Sequence, residues 1–144
     1  MLAGIVRSED FAKLLAQGRE AERLTLQYEV NRLKQFGIDL VPRWIALENA
    51  AAGYDVISYD PGTVAPTARL IEVKSSSRRP AEIFLTRNEW ETAMETKPNY
   101  VIHLWRLPEM DLVELTPNDL IDHVPKDGGS GAWQLVRIVL PELP

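Results

Sequence analysis

The run from Arg19 to Phe36 constrains the fold most: it consists largely of strong helix formers and contains no proline. Gly37 follows it, a residue suited to the positive φ that closes a helix. The segments after it read as strands: Trp44 to Leu47, Tyr54 to Tyr59, Arg69 to Ser75, Ile83 to Leu85, Tyr100 to Leu107, Leu112 to Leu115 and Trp133 to Leu140. Asp60-Pro61-Gly62 and Gly128-Gly129-Ser130-Gly131 mark turns between them. Thr86 with Glu89 three residues on has the spacing of a capping box, which predicts a helix that ends before Pro98, and Thr116-Pro117 opens a short third one. Ser8 before Glu9 and Asp10 caps an earlier helical stretch with the apolar face Phe11, Leu14 and Leu15; Gly18 leaves its continuity with the main helix open. No repeat or linker divides the chain. The expectation is one α/β domain over residues 1–144, with a mixed central β-sheet flanked by helices.

Composition removes several kinds of chemistry. The chain has 144 residues, no cysteine and two histidines, His103 and His123. Disulfides, thiol nucleophiles and cysteine zinc sites are therefore excluded, and any metal should be hard and oxygen-bound. No run approaches the roughly 18 apolar residues of a membrane helix. Arg7, Glu9 and Asp10 stand where a signal peptide would be apolar, so a cytoplasmic location is expected. The net charge of −5 is uneven: residues 101–144 hold three basic against seven acidic residues. Between Arg69 and Arg87, five basic residues meet only Glu72 and Glu82. That strip is either a nucleic-acid contact or a solvated edge.

In Leu70-Ile71-Glu72-Val73-Lys74 the alternation of a strand puts Glu72 and Lys74 on one face and Ile71 and Val73 on the other. A return through Pro61-Gly62 brings Asp55, from the preceding strand, toward Glu72. Two carboxylates beside a lysine suit Mg²⁺-assisted hydrolysis; the plainer reading is a cross-strand salt bridge. Glu22, Leu26, Glu29 and Leu33 share a helical stripe, so Glu22 either adds a third carboxylate or, with Glu29, pairs with Arg19, Arg23 or Arg32. Ser75, Arg78 and Arg79 are candidate phosphate contacts or a polar turn. His103 lies in an apolar strand and reads as a core or edge histidine, and His123 has no evident partner.

A set of motifs occurs in order: Gly18-Arg19-Glu20-Ala21-Glu22, Tyr28-Glu29, Gly53-Tyr54-Asp55-Val56-Ile57-Ser58-Tyr59-Asp60, Ile71-Glu72-Val73-Lys74-Ser75-Ser76 and Leu85-Thr86-Arg87-Asn88-Glu89-Trp90. Together they resemble the C-terminal domain of the plant NO VEIN protein, a domain widespread in bacteria and similar to the PD-(D/E)xK nuclease superfamily. The resemblance spans about residues 18–107 and leaves 108–144 as a C-terminal extension. It implies a restriction endonuclease-like core with Asp55, Glu72, Lys74 and Glu22 as the site and Asp55 and Glu72 holding Mg²⁺ or Mn²⁺. The family's glycine before the first-helix acid is Ala21 here, and its Lys-Thr-Thr is Lys74-Ser75-Ser76. Glu89 also matches a family position, but the capping box gives it a structural role and it is left out of the site. The implied activity is hydrolysis of DNA in a restriction or defence system, beside a helicase, ATPase or methyltransferase partner or as a homodimer. Two alternatives are a catalytically silent module that binds nucleic acid or a partner protein, and a plain interaction domain whose charges pair with one another.

Overall fold

The computed structural model describes residues 8–141 and 143; Arg7, on which part of the N-terminal reading rests, lies outside them. Helix α1 spans Ser8–Phe36 without a break. A glycine inside a helix costs about 1 kcal/mol relative to alanine, too little for Gly18 to interrupt a segment this rich in helix formers. The buried stripe is Ala21, Thr25, Glu29 and Leu33, one residue out of phase with the expected one at its start, and Glu22 lies at its border. Only the C-terminal two thirds of α1 lies on the sheet. Phe11, Leu14 and Leu15 project beyond it and are more than half exposed, so the apolar face expected there is not a core face.

Five strands, β1 (Arg43–Trp44), β2 (Val56–Asp60), β3 (Thr67–Ser76), β5 (Tyr100–Arg106) and β6 (Asp111–Leu115), form the main sheet in the spatial order β1-β2-β3-β5-β6. β3 and β5 are parallel and every other pair is antiparallel, which makes the sheet mixed, as expected. The crossover between the parallel strands carries β4 (Ala81–Thr86) and helix α2 (Arg87–Thr96). β4 pairs with the last strand, β7 (Leu135–Leu140), as a separate two-stranded sheet, and a single helical turn, α3 (Pro117–Leu120), follows β6. The capping boxes at Thr86/Glu89 and Thr116/Asp119 are both formed.

One expected strand is mostly absent. Arg43 and Trp44 pair with Ile57 and Val56, but Ile45–Leu47 turn into a 3-10 helix. Glu48 and Asn49 donate their N–H groups back to the Ile45 carbonyl, and the Asn49 side chain accepts from the Ala51 N–H. These local bonds outcompete extension of a two-residue edge strand.

β5 is buried on both faces. Val101 and Trp105 pack with Ala21, Val56, Ile71 and Val73 under α1, while Tyr100, Ile102 and Leu104 pack with Ile83, Leu85 and Ile138 of the small sheet. α1 thus covers one face of the main sheet, and β4, β7 and α2 cover the other. β2 accompanies β3 only as far as Val56 opposite Ile71. From Val73 to Ser76 that edge of β3 has no strand beside it, and a cleft opens there between α1 and β4.

Candidate active site

The end of the β2–β3 pairing fixes the first acid. The Asp55 N–H donates to the Ile71 carbonyl at 2.8 Å, and the Asp55 carboxylate then accepts from the Val73 N–H at 2.8 Å, taking the place of a missing strand. Gly53 makes this approach possible: its φ is +83°, and a Cβ there would collide with the Thr92 hydroxyl. The Tyr100 hydroxyl donates to the Gly53 carbonyl at 2.8 Å, which ties the loop to β5.

Glu72 is 3% exposed and Lys74 follows it on the same face of β3. The Lys74 ammonium lies 3.1 Å from Glu72 Oε2 and 2.8 Å from Glu89 Oε1. Glu89 therefore has two roles. The same oxygen that completes the capping box by accepting the Thr86 N–H also holds Lys74. The capping-box spacing hid that second role in the sequence, because a satisfied local bond gives no sign of a long-range one.

Glu22, Asp55, Glu72 and Glu89 all line one cavity of about 320 Å³, whose rim includes Leu14, Leu15, Arg19, Asn49 and Asn88. The Asp55 and Glu72 carboxyls lie near enough for each to act on the other's titration. Burial pushes Asp55 up to about 6, with the Glu22 charge adding to the effect and the Val73 N–H opposing it. Burial also raises Glu72 well above the ordinary carboxylate range, against the pull of Lys74. Lys74 loses hydration as well, but the Glu72 and Glu89 carboxylates outweigh that loss and hold its pKa above the usual lysine value. Glu22 accepts from the Trp44 indole at 2.6 Å and from Arg19 at 2.9 Å, so the expected pairing with arginine and a place in the acid cavity coexist. Hard oxygen donors with surplus negative charge fit a divalent cation, and Mg²⁺ commonly takes only one or two protein carboxylates and keeps several waters. Asp55 and Glu72 are the residues that could hold one.

Glu29, on the same helix, belongs elsewhere. It is fully buried on the α1 face of the sheet, 2.9 Å from Arg32 and 3.4 Å from Arg69. Arg69 in turn contacts Glu114 at 2.5 Å and His103 Nε2 at 3.2 Å, and Arg32 also pairs with Asp60. His103 is held from its other side by Thr25, 3.1 Å from Nδ1, and Thr25 accepts from the Trp105 indole. Among the described residues, Glu29, His103 and Glu114 are the group of three whose donor atoms lie within 4.8 Å of one another. The Arg69 guanidinium already contacts all three, which makes the group an ion-pair cluster and not a metal centre. Nothing in the spacing of these residues announces the cluster, since it is assembled from α1, β3, β5 and β6.

The basic strip is dispersed by the fold. Arg69 is buried in the ion-pair cluster, Lys74 is in the acid site, Arg79 pairs with Glu109 at 2.5 Å and Arg87 with Asp127 at 2.7 Å. Arg79 faces a different cavity, beside Pro80 and Arg106, so the Arg78-Arg79 pair is split. Ser75 and Arg78 line a second cavity of about 360 Å³ next to the acids, with Lys74 and Gln17. Gln17 donates to Ser75 Oγ at 2.9 Å, a contact that sequence spacing gave no reason to expect.

No helix among the described residues is long and apolar enough to cross a membrane. Neither a curated protein nor a solved structure matches the chain. The family model of the C-terminal domain of protein NO VEIN matches residues 21–113, which include Glu22, Asp55, Glu72, Lys74 and Glu89. The chain belongs to the NO VEIN C-terminal family.

Proposed function

We propose that this chain is a Mg²⁺-dependent phosphodiesterase domain of PD-(D/E)xK type that hydrolyses DNA within a restriction or defence system. The observation that carries the reading is that the buried Glu72 and the half-buried Asp55 face one cavity, with Lys74 beside Glu72 on β3. Burying acids against each other raises their free energy, and proteins keep such arrangements mainly where they serve a site. A Mg²⁺ or Mn²⁺ ion bound by Asp55 and Glu72 supplies charge for a phosphoryl oxygen and lowers the pKa of water. The residues do the rest. Burial raises the proton affinity of both carboxyls, so protons compete with the cation for Asp55 and Glu72 as pH falls. Lys74 directs two of its three donors to Glu72 and Glu89 and has the third for a phosphate oxygen or the attacking water. Glu89 is a positioning residue, because it fixes the ammonium at the junction of the two cavities.

The basic strip leaves few cations free to hold a duplex. Of the five basic residues from Arg69 to Arg87, only Arg78 has no carboxylate within salt-bridge distance among the described residues. Isolated duplex affinity should be poorer than about 10⁻⁶ M at physiological salt, and targeting then falls to a helicase, ATPase or methyltransferase partner or to a second copy. The test is cleavage of supercoiled, linear and single-stranded DNA by the purified chain in Mg²⁺ or Mn²⁺. Cleavage should vanish in Asp55→Asn, Glu72→Gln and Lys74→Met. Cleavage retained in all three identifies a contaminant. Absence of cation-dependent cleavage by wild type on every substrate overturns the catalytic reading in favour of a silent, nuclease-like binding module.

A further inference from the structure

We infer that the cleft between α1 and β4 takes a single polynucleotide strand, with its phosphates along the open edge of β3 and its bases against Leu14 and Phe84. The inference rests on the phosphodiesterase reading of the acid cavity for the identity of the ligand, but not for its test. The acid cavity and the second cavity meet at Leu14 and Gly18, which line both. They form one path along β3, from Glu72 past Lys74 to Arg78.

The walls of that path differ in kind. Its β3 side offers Lys74, Ser75, Ser77 and Arg78, joined by the Gln17 amide from α1. The Ser76 hydroxyl is occupied, because it accepts the Arg78 and Glu82 N–H groups and so shapes the turn. The opposing sides offer Leu14 and Phe84. On β4, alternation buries Ala81, Ile83 and Leu85 and turns Glu82, Phe84 and Thr86 outward. Phe84 thus occupies a polar position in the pattern, yet is 48% exposed. The one acid beside it, Glu82, is held by Arg137 at 2.8 Å.

An unpaired strand needs both surfaces, cations and hydroxyls for phosphate and apolar or aromatic side chains on which bases stack. A duplex uses only the first, since its bases are stacked inside, and its affinity depends on the number of cations it meets. The path offers three cations, Arg19, Lys74 and Arg78, and of these Arg19 and Lys74 already pair with acids. The projecting turns of α1 also raise Leu14 and Leu15 above a Glu72 that is 3% exposed. A rigid duplex is kept from that depth, whereas a flexible strand reaches it.

Binding of fluorescein-labelled oligothymidylate, oligouridylate and a hairpin duplex of equal length, measured by anisotropy in EDTA, separates binding from cleavage. A single strand should bind about tenfold or more tightly than the duplex, and the two oligonucleotides distinguish DNA from RNA. Phe84→Ala should weaken strand binding about tenfold and Phe84→Trp restore it. Nothing lies within 4 Å of a Cβ at Gly18, so Gly18→Leu should leave the melting temperature unlowered and still block the path. Arg78→Ala should reduce the salt slope by about 0.7. Duplex affinity equal to strand affinity, no binding of either strand, or strand binding unchanged in both Phe84→Ala and Gly18→Leu would overturn the inference. Strand binding in EDTA without cleavage in Mg²⁺ keeps the path and removes the catalytic reading. Cleavage in Mg²⁺ without strand preference does the reverse.

Discussion

Two ionic clusters lie on opposite faces of the same sheet, and they differ in charge balance and in access. On the α1 face, Glu29, Asp60 and Glu114 meet Arg32 and Arg69, with His103 between them, and none of these six lines either of the two cavities beside β3. On the other face, Asp55, Glu72 and Glu89 meet Lys74 alone, Glu22 adds a further acid, and all four carboxylates line an open cavity. A cluster in which each acid has a guanidinium is understandable as structure, and its two outer acids, Asp60 and Glu114, reach solvent. An acid surplus kept beside an opening is costly without a ligand, and that contrast, more than either cluster alone, is what supports the second as the proposed site.

The contrast predicts opposite responses to substitution. Glu29→Ala deprives the buried Arg69 and the half-buried Arg32 of their shared carboxylate, leaving them only the outer acids Asp60 and Glu114, and should cost about 3 kcal/mol in urea unfolding. Glu72→Gln removes a charge from a crowded acid pair and should leave stability unchanged or raise it. A large loss in Glu72→Gln would erase the distinction between the clusters. A smaller effect is expected from Gly53→Ala, which strains a left-handed residue and collides with Thr92; about 2 kcal/mol is the expected cost. The same variant should displace Asp55 and so weaken stabilisation by Mg²⁺.

The clusters should also answer pH with opposite sign. Asp55 is raised from 3.8 to about 6, so its contribution to stability is present below about pH 4 and is lost as pH rises through about 6. Glu114 is lowered to about 2, first by its hydrogen bond with His103 and then by Arg69. Its contribution is present above about pH 4.5 and is lost as pH falls toward 2. Melting temperatures from pH 3 to 8 should therefore separate in Asp55→Asn on the alkaline limb and in Glu114→Gln on the acid limb. The smallest effect is stabilisation of wild type by Mg²⁺, about 1.4 kcal/mol at tenfold excess over Kd and confined to pH above about 6.

Much of the architecture was legible because its signals are local. The proline-free run into Gly37, the two capping boxes and the alternation in Ile71-Glu72-Val73-Lys74 each act within a few residues, and α1, α2, α3 and β3 follow from them. The pairing of Asp55 with Glu72 was inferred from a single turn, at Pro61-Gly62. What the residues alone could not decide was where the two acids of one helical stripe go. Glu22 and Glu29 look alike in sequence, and only the offset between the end of β2 and the course of β3 sends one to the cavity and seals the other under β5. The dispersal of the basic strip was hidden for the same reason, since Glu109 and Asp127 lie far along the chain from Arg79 and Arg87.

The most direct measurement is an anomalous difference map from crystals of this chain soaked in Mn²⁺ near pH 8. The account predicts one strong peak between the Asp55 and Glu72 carboxylates, absent in Glu72→Gln, and none among Glu29, His103 and Glu114. A peak at the second group, or none at the first in a lattice that leaves the cavity open, would contradict it.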